Sequence, residues 1–262
     1  MKEYSIVIPA FNEEDKITST LTQVVNFMRG YCNTFEVIVV NDGSSDTTSE
    51  KVALFAKDNP EIVLVDNPHK GKGFAVWTGM MRAEGNLIYM ADADLSAPIE
   101  DLKKFSVWAV EHDFDIVIGS REGIGAKRIG EPVYRHIMGR AFNYFVQLFA
   151  VPGVKDSQCG FKLFKNKAAK EIFGRSAIYG SGTKEIKSAY FGAWDVEVLF
   201  IARKLGYKVK QIPVTWVYVK SKRFNPIANS VKMAIDVLKI RLNDIRGKYK
   251  AAHVTSISSE KK

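Results

Sequence analysis

The chain has little cysteine, no long hydrophobic run and no Walker-type phosphate loop, and each lack narrows what it can do. Its two cysteines, Cys32 and Cys159, stand far apart and match no metal-ligand spacing. A disulfide framework or zinc site is thereby set aside, and two reduced thiols in a cytoplasmic protein are expected. Crossing a bilayer takes roughly 20 consecutive apolar residues. The most apolar stretch, residues 142–151, is far shorter, so the chain is not expected to span a membrane by itself. Residues 1–4 run straight into a strand-like segment, so no targeting peptide is expected ahead of the fold. No internal repeat and no linker between independent domains is visible.

What is present is an ordinary apolar fraction, 46% of 262 residues, enough for one sizeable core. The net charge of +9 is unevenly spread. Residues 220–250 hold nine Lys and Arg against Asp236 and Asp244. Such a segment suits nucleic acid, an anionic membrane surface or a solvated face. Strand binding would need aromatics interleaved with the cations. The segment offers mainly Phe224 and Tyr249, so no nucleic-acid partner is expected.

Short apolar runs at 4–9, 35–40, 62–65, 87–91 and 114–118 alternate with helical patterns at 13–28 and 45–57. Strands apolar on both faces predict an α/β fold whose mainly parallel sheet is covered by helices. Functional groups in such sheets collect beyond the C-terminal ends of the strands. That rule selects the loops 9–13, 41–44, 91–98 and 119–121. Residues 132–150 predict a helix with an apolar stripe of Tyr134, Ile137, Met138, Ala141, Phe142, Phe145 and Leu148. Residues 209–219 read as a strand interrupted by Pro213. Residues 230–246 predict a basic amphipathic helix, its stripe being Val231, Ala234, Ile235, Leu238, Leu242 and Ile245.

Asp92-Ala93-Asp94 ends one strand. Two carboxylates so spaced can converge on a divalent ion beside a diphosphate, or one of them can cap the next helix. Asp42 suits hydrogen bonds from a ribose or base edge, or a turn built on Asn41-Asp42-Gly43. His69-Lys70-Gly71-Lys72-Gly73 reads as a phosphate-contacting loop or an exposed turn. Arg121, Arg128, Arg135 and Arg140 would suit a phosphate acceptor, in fork geometry, or simply a solvated face.

Taken together, Ile8-Pro9-Ala10-Phe11-Asn12-Glu13-Glu14, Val40-Asn41-Asp42-Gly43-Ser44-Ser45-Asp46, Lys70-Gly71-Lys72-Gly73 and Asp92-Ala93-Asp94 resemble family-2 glycosyltransferases of GT-A fold. Residues 156–164 and 194–199 resemble, more narrowly, the dolichyl-phosphate glucosyltransferase branch, a sister to the mannose synthases. The resemblance covers about residues 4–225. It implies a GT-A catalytic domain over 1–225; the residues beyond it read as an amphipathic helical extension over 226–250 and a short polar tail, expected to be disordered, over 251–262. It further implies that Pro9, Ala10, Asn12, Glu13 and Asp42 hold the nucleoside with Lys72 nearby, and that Asp92 and Asp94 handle the diphosphate with Mg²⁺ or Mn²⁺. Arg121 and Arg135 match positions facing the acceptor phosphate, with Arg140 a further candidate. Asp156 and Gln158 would line the sugar or acceptor side, and Glu197 sits where the family carries an acidic residue. Two positions depart from the mannose synthases: Ser96 replaces a metal-binding Gln, and Gly139 replaces a Ser. Residues 174–191 are long and polar, a pattern expected of a lid.

The implied reaction is an inverting transfer of a hexose, glucose from UDP-glucose favoured, onto a polyprenyl phosphate. An anionic phosphate needs no general base. Mannose from GDP-mannose, or a saccharide hydroxyl acceptor, are the alternatives. A hydroxyl acceptor would demand a further carboxylate base, and the Gln-x-x-Arg-Trp motif of processive synthases is absent. The basic helix is expected either to lie on the cytoplasmic face of a membrane or to pack on the core. A separate membrane protein is the other partner that a lipid acceptor would allow.

Overall fold

The computed structural model describes residues 2–190, 192–219 and 226–250. The expected tail at 251–262 and part of the basic cluster, residues 220–225, lie outside these. In chain order the elements are β1 (Tyr4–Ala10), α1 (Ile17–Tyr31), β2 (Phe35–Asn41), α2 (Thr48–Asp58), β3 (Ile62–Asp66), α3 (Lys72–Arg82) and β4 (Leu87–Met90). A 3-10 turn at Ile99–Asp101 leads into α4 (Leu102–Val110), β5 (Ile116–Ser120), β6 (Lys127–Ile129) and α5 (Val133–Phe149). There follow β7 (Lys162–Lys165), α6 (Asn166–Gly174), α7 (Trp194–Lys204), β8 (Val209–Pro213), β9 (Thr215–Val217) and α8 (Pro226–Ile245).

β1 and β2 are buried along their whole length, as an apolar run in a covered sheet requires. Successive side chains alternate between faces. Val7, Ile38 and Val40 enter the core beneath α3, α6 and α7, whereas Ile6, Ile8, Val37 and Val39 enter the core beneath α1 and α4. The seven strands run β3-β2-β1-β4-β7-β5-β8, and only β7 is antiparallel to its neighbours among them. This confirms the mainly parallel α/β sheet. The run at 209–219 is two strands: β8 ends at Pro213, and β9 leaves the sheet to pair with β6.

Both predicted apolar stripes need correction. In α5 the buried side chains are Phe142, Asn143 and Val146, while Tyr134, Ile137 and Leu148 are exposed. In α8 the inward face is Met233, Val237 and Ile240, packed against α5 and α7. Val231, Ile235, Leu238, Leu242 and Ile245 are 43% to 79% exposed. Phe142, Phe145 and Ala234 of the expected stripes do pack on the core, but each helix carries more apolar residues than one face can hold, so periodicity alone mixed inner with outer rows. No helix among the described residues is long and apolar enough to cross a membrane.

α3 lies close on the sheet because Gly79 has no side chain. A Cβ there would stand 2.3 Å from Val7 Cγ1 and 3.1 Å from Val40 Cγ2. Gly79→Ala is expected to destabilise by about 1–3 kcal/mol through overpacking, outweighing a gain in helix propensity of at most about 1 kcal/mol. Urea unfolding should show a lower midpoint at unchanged slope; an unchanged midpoint would mean the sheet yields freely.

Candidate active site

The strand ends of β1, β2, β4 and β5 open onto a cavity of about 720 Å³. It is lined by Pro9, Ala10, Asn12, Glu13, Asp42, Lys72, Asp92, Asp94, Arg121, Arg135, Arg140, Asp156 and Gln158, all the sequence-predicted residues but one.

On one side the loop after β1 is knitted to the loop after β2. Asn12 adopts a left-handed φ of 54°, which its short amide tolerates. Its Oδ1 accepts from the Ser45 amide at 2.8 Å, and its own amide donates to Ser44 Oγ at 2.9 Å. The Glu13 amide donates to Thr48 Oγ1 at 2.8 Å. The Phe11 ring stacks on His69 with centroids 4.2 Å apart and planes 7° from parallel. Asp42 is 2% exposed, and its carboxylate accepts from His69 Nδ1 at 2.8 Å and from the Lys70 and Gly71 amides, each at 2.9 Å. Burial raises its pKa against the pull of these donors. In this conformation Asp42 holds the 69–71 loop. His69 Nε2 is buried with no hydrogen-bond partner among the described residues.

The segment 70–73 is a helix start rather than an open loop. Gly71, at φ 91°, precedes the first turn of α3, a place where amides attract anions. Lys72 Nζ pairs with Asp92. Asp94 Oδ1 accepts from Ser96 N at 3.0 Å and Ser96 Oγ at 2.6 Å, a turn within the loop. Both bonds use the same oxygen, and neither Asp caps the next helix, since the 3-10 turn at Ile99–Asp101 has no side-chain cap. No group of three or more His, Cys, Asp or Glu able to hold a metal exists among the described residues. Two carboxylates completed by diphosphate oxygens nevertheless form the hard, all-oxygen donor set that Mg²⁺ or Mn²⁺ takes.

Guanidinium groups line the same cavity. Arg121 makes a two-pronged pair with Asp156, Nε to Oδ2 at 2.8 Å and Nη2 to Oδ1 at 2.9 Å, and its backbone amide adds a bond at 2.9 Å. Burial would raise the Asp156 pKa, but the Arg121 charge and hydrogen bonds outweigh it and bring it down to about 2. Arg128 is gripped by Glu122 and Glu131, each at 2.6 Å. Arg135 lies over the Tyr218 ring at 4.9 Å, and Arg140 Nη1 donates to the Lys155 carbonyl at 3.1 Å. Gln158 Nε2 approaches Met233 Sδ of α8 at 3.8 Å.

Glu197 is the exception: it points away from the cavity. Its carboxylate accepts from Ser176 Oγ at 2.5 Å, the Ala177 and Ile178 amides at 2.9 Å, and Tyr249 Oη at 2.7 Å. It thereby anchors the segment expected to act as a lid. The acidic residue that does line the cavity is Asp195, which sequence reading passed over. Two helical residues apart is about 200° around the axis, so the two acids of α7 must face opposite ways. Burial raises Asp195 to about 6, opposed by the Lys162 charge. Lys162 itself is fully buried on β7, with its ammonium 5.1 Å from the Trp194 ring.

Residues 5–173 match the sequence profile described as Glycosyl transferase family 2. A dolichyl-phosphate beta-glucosyltransferase of Trichomonas vaginalis is 33% identical over 249 residues, covering 91% of this chain and 70% of that relative. The Homo sapiens dolichyl-phosphate beta-glucosyltransferase is 31% identical over 266 residues, covering 95% of this chain and 78% of its own length. Among solved structures, glucosyl-3-phosphoglycerate synthase from Mycobacterium tuberculosis, in complex with Mn²⁺, UDP-glucose and phosphoglyceric acid, superposes with a TM-score of 0.61 at 16% identity. That superposition covers 94% of this chain and 80% of the other, and it bears on the fold alone. The profile takes in more than half of the chain, which therefore belongs to glycosyltransferase family 2.

Two outcomes are expected of site variants. A Cβ at Gly160 would stand 2.0 Å from Asp92 Oδ2, so Gly160→Ala should displace that carboxylate. The side chain can swing aside, so calorimetric stability should hardly change while Mn²⁺ affinity falls about tenfold or more, as when a metal's supporting residues are lost; unaltered affinity would remove Asp92 from the metal site. Asp195, raised to about 6, contributes stability that is full below the unfolded carboxylate value and lost as pH rises through 6. Wild type should thus lose roughly 2–3 kcal/mol relative to Asp195→Asn between pH 4 and 7. Parallel pH–stability curves would contradict this.

Proposed function

We propose that this family-2 glycosyltransferase moves glucose from UDP-glucose to a dolichyl or other polyprenyl phosphate, with inversion at the anomeric carbon. The observation carrying the proposal is that one cavity is lined both by the Asp92–Asp94 pair and by Arg121, Arg135 and Arg140. A diphosphate and a second phosphate can thus be held side by side. The names of the relatives support the sugar and the acceptor.

Asp92 and Asp94 would hold Mg²⁺ or Mn²⁺, which when bound neutralises charge on the departing diphosphate. The first turn of α3 and Lys72 face the same charge. Arg121, locked by Asp156, and Arg135, backed by Tyr218, orient the acceptor phosphate and offset its repulsion from the donor. The nucleophilic oxygen is already anionic, so no residue need take its proton. Pro9, Ala10, Asn12, Glu13 and Asp42 shape the nucleoside end, and Gln158 the acceptor side.

A lipid acceptor asks for a lipid-facing surface. The exposed Tyr134 and Ile137 of α5 and Val231, Ile235 and Leu238 of α8 provide apolar contacts, with Lys232, Lys239 and Arg241 on α8 and Arg246 just past its end. Peripheral attachment to the cytoplasmic face, alone or through a membrane-protein partner, fits that surface.

The test is incubation with Mg²⁺, a short polyprenyl phosphate and labelled UDP-glucose or GDP-mannose in parallel, followed by lipid extraction. Organic-phase label from UDP-glucose, abolished to below about 1% by Asp94→Ala, is the expected result. Label from GDP-mannose instead would overturn the sugar. No lipid label from either donor would overturn the acceptor.

A further inference from the structure

The C-terminal helix does more than cover the core. Asp236, on its inner face, is 4% exposed and accepts hydrogen bonds from two tyrosines, Tyr179 Oη and Tyr190 Oη, each at 2.5 Å. Lys239 completes its surroundings at 2.9 Å. Tyr179 Oη in turn accepts from the Ala193 amide at 2.6 Å. Its ring is wedged so tightly that a Cβ on Gly73 or Gly192 would come within 2.5 or 2.6 Å of it. Tyr190 lines the cavity, and its carbonyl accepts from the Lys72 amide at 3.2 Å. Lys72 is the residue whose ammonium pairs with Asp92. A connected path therefore runs from α8 through Tyr190 and Lys72 to the carboxylate pair.

Residues 179–190, 192 and 193 have little regular structure, and Ala189, Tyr190 and Gly192 line the cavity. An irregular segment is held by its side-chain bonds, and here both tyrosine hydroxyls reach one carboxylate from another element. We propose that Asp236 is a positioning residue: by seating the two tyrosines it fixes the start of α3 and Lys72, and so sets the affinity for the nucleotide sugar. The inference rests on the transferase reading for its ligand. Its structural half, the link from α8 to segment 186–193 and residues 71–75, stands without that reading.

Hydrogen–deuterium exchange on the full chain tests the link, comparing wild type, Asp236→Asn and Asp244→Asn. Asp244 is also on α8 but pairs with Lys204, away from the cavity. Asp236→Asn should speed exchange about tenfold in peptides covering 71–75 and 186–193, with no loss of protection in β1 or β2. Asp244→Asn should leave both peptides unchanged. If Asp236→Asn does not fold, Tyr190→Phe, which keeps the ring and the Tyr179 bond, should give the same local effect. UDP-glucose titrated in Mn²⁺ should then bind the Asp236→Asn or Tyr190→Phe protein about tenfold more weakly. Unchanged exchange in both peptides would overturn the proposal, as would equal loss of protection throughout the sheet. Local exchange changes with no UDP-glucose binding to wild type would uphold the positioning role and overturn the donor.

Discussion

The carboxylates crowded at one end of the sheet are the constraint around which the rest of the molecule is arranged. Asp42, Asp92, Asp94, Asp156 and Asp195 all line one cavity. Taking an ion out of water costs several kcal/mol unless its charge is met. Each acid has its own answer: the Lys70 and Gly71 amides and the His69 ring for Asp42, Lys72 for Asp92, Ser96 for Asp94, Arg121 for Asp156, and the Lys162 charge for Asp195. These partners come from separate stretches of chain. Satisfying the acids therefore assembles the site, and the antiparallel β7 is the element that carries Lys162 beneath it.

The same arrangement interleaves charge around the cavity. Lys72 sits with Asp92 and Arg121 with Asp156, while Arg135 and Arg140 line the same cavity, a distribution that supplies cations to two phosphates. Such a site is preorganised, because its dipoles and ions are already oriented before a ligand enters. Arg121 illustrates the point: its planar fork is locked on Asp156 and leans on Trp216 at 5.1 Å, so little of its freedom remains to be lost.

α5 and α8 show how a surface and a site can share elements. Their inner rows, Phe142, Val146, Met233, Val237 and Ile240, complete the core. Their outer rows stay apolar and exposed. Ser230 and Met233 of α8 also line the cavity, so this helix touches interior, site and solvent at once.

Most strands were legible because a covered parallel sheet writes itself as short apolar runs, and the loops at their ends carried eight of the fourteen candidate residues; β6, the antiparallel β7 and the order of the sheet were not legible. Asp92, Asp94, Asp42 and Arg121 could be picked from local pattern for that reason. Asp195 and Glu197 could not be sorted, since both lie in one motif and only the seating of α7 decides which acid faces inward. The apolar rows of α5 and α8 were misjudged on similar grounds: each helix offers two, and which is buried depends on the neighbour. The sequence by itself determined the fold class, the strand-end loops and the chemical character of the site, because these follow from local periodicity and residue type. Tertiary structure alone decided which charges meet, which helix face is covered, and that Asp236 reaches across to Tyr190, because these depend on contacts between residues distant in the chain.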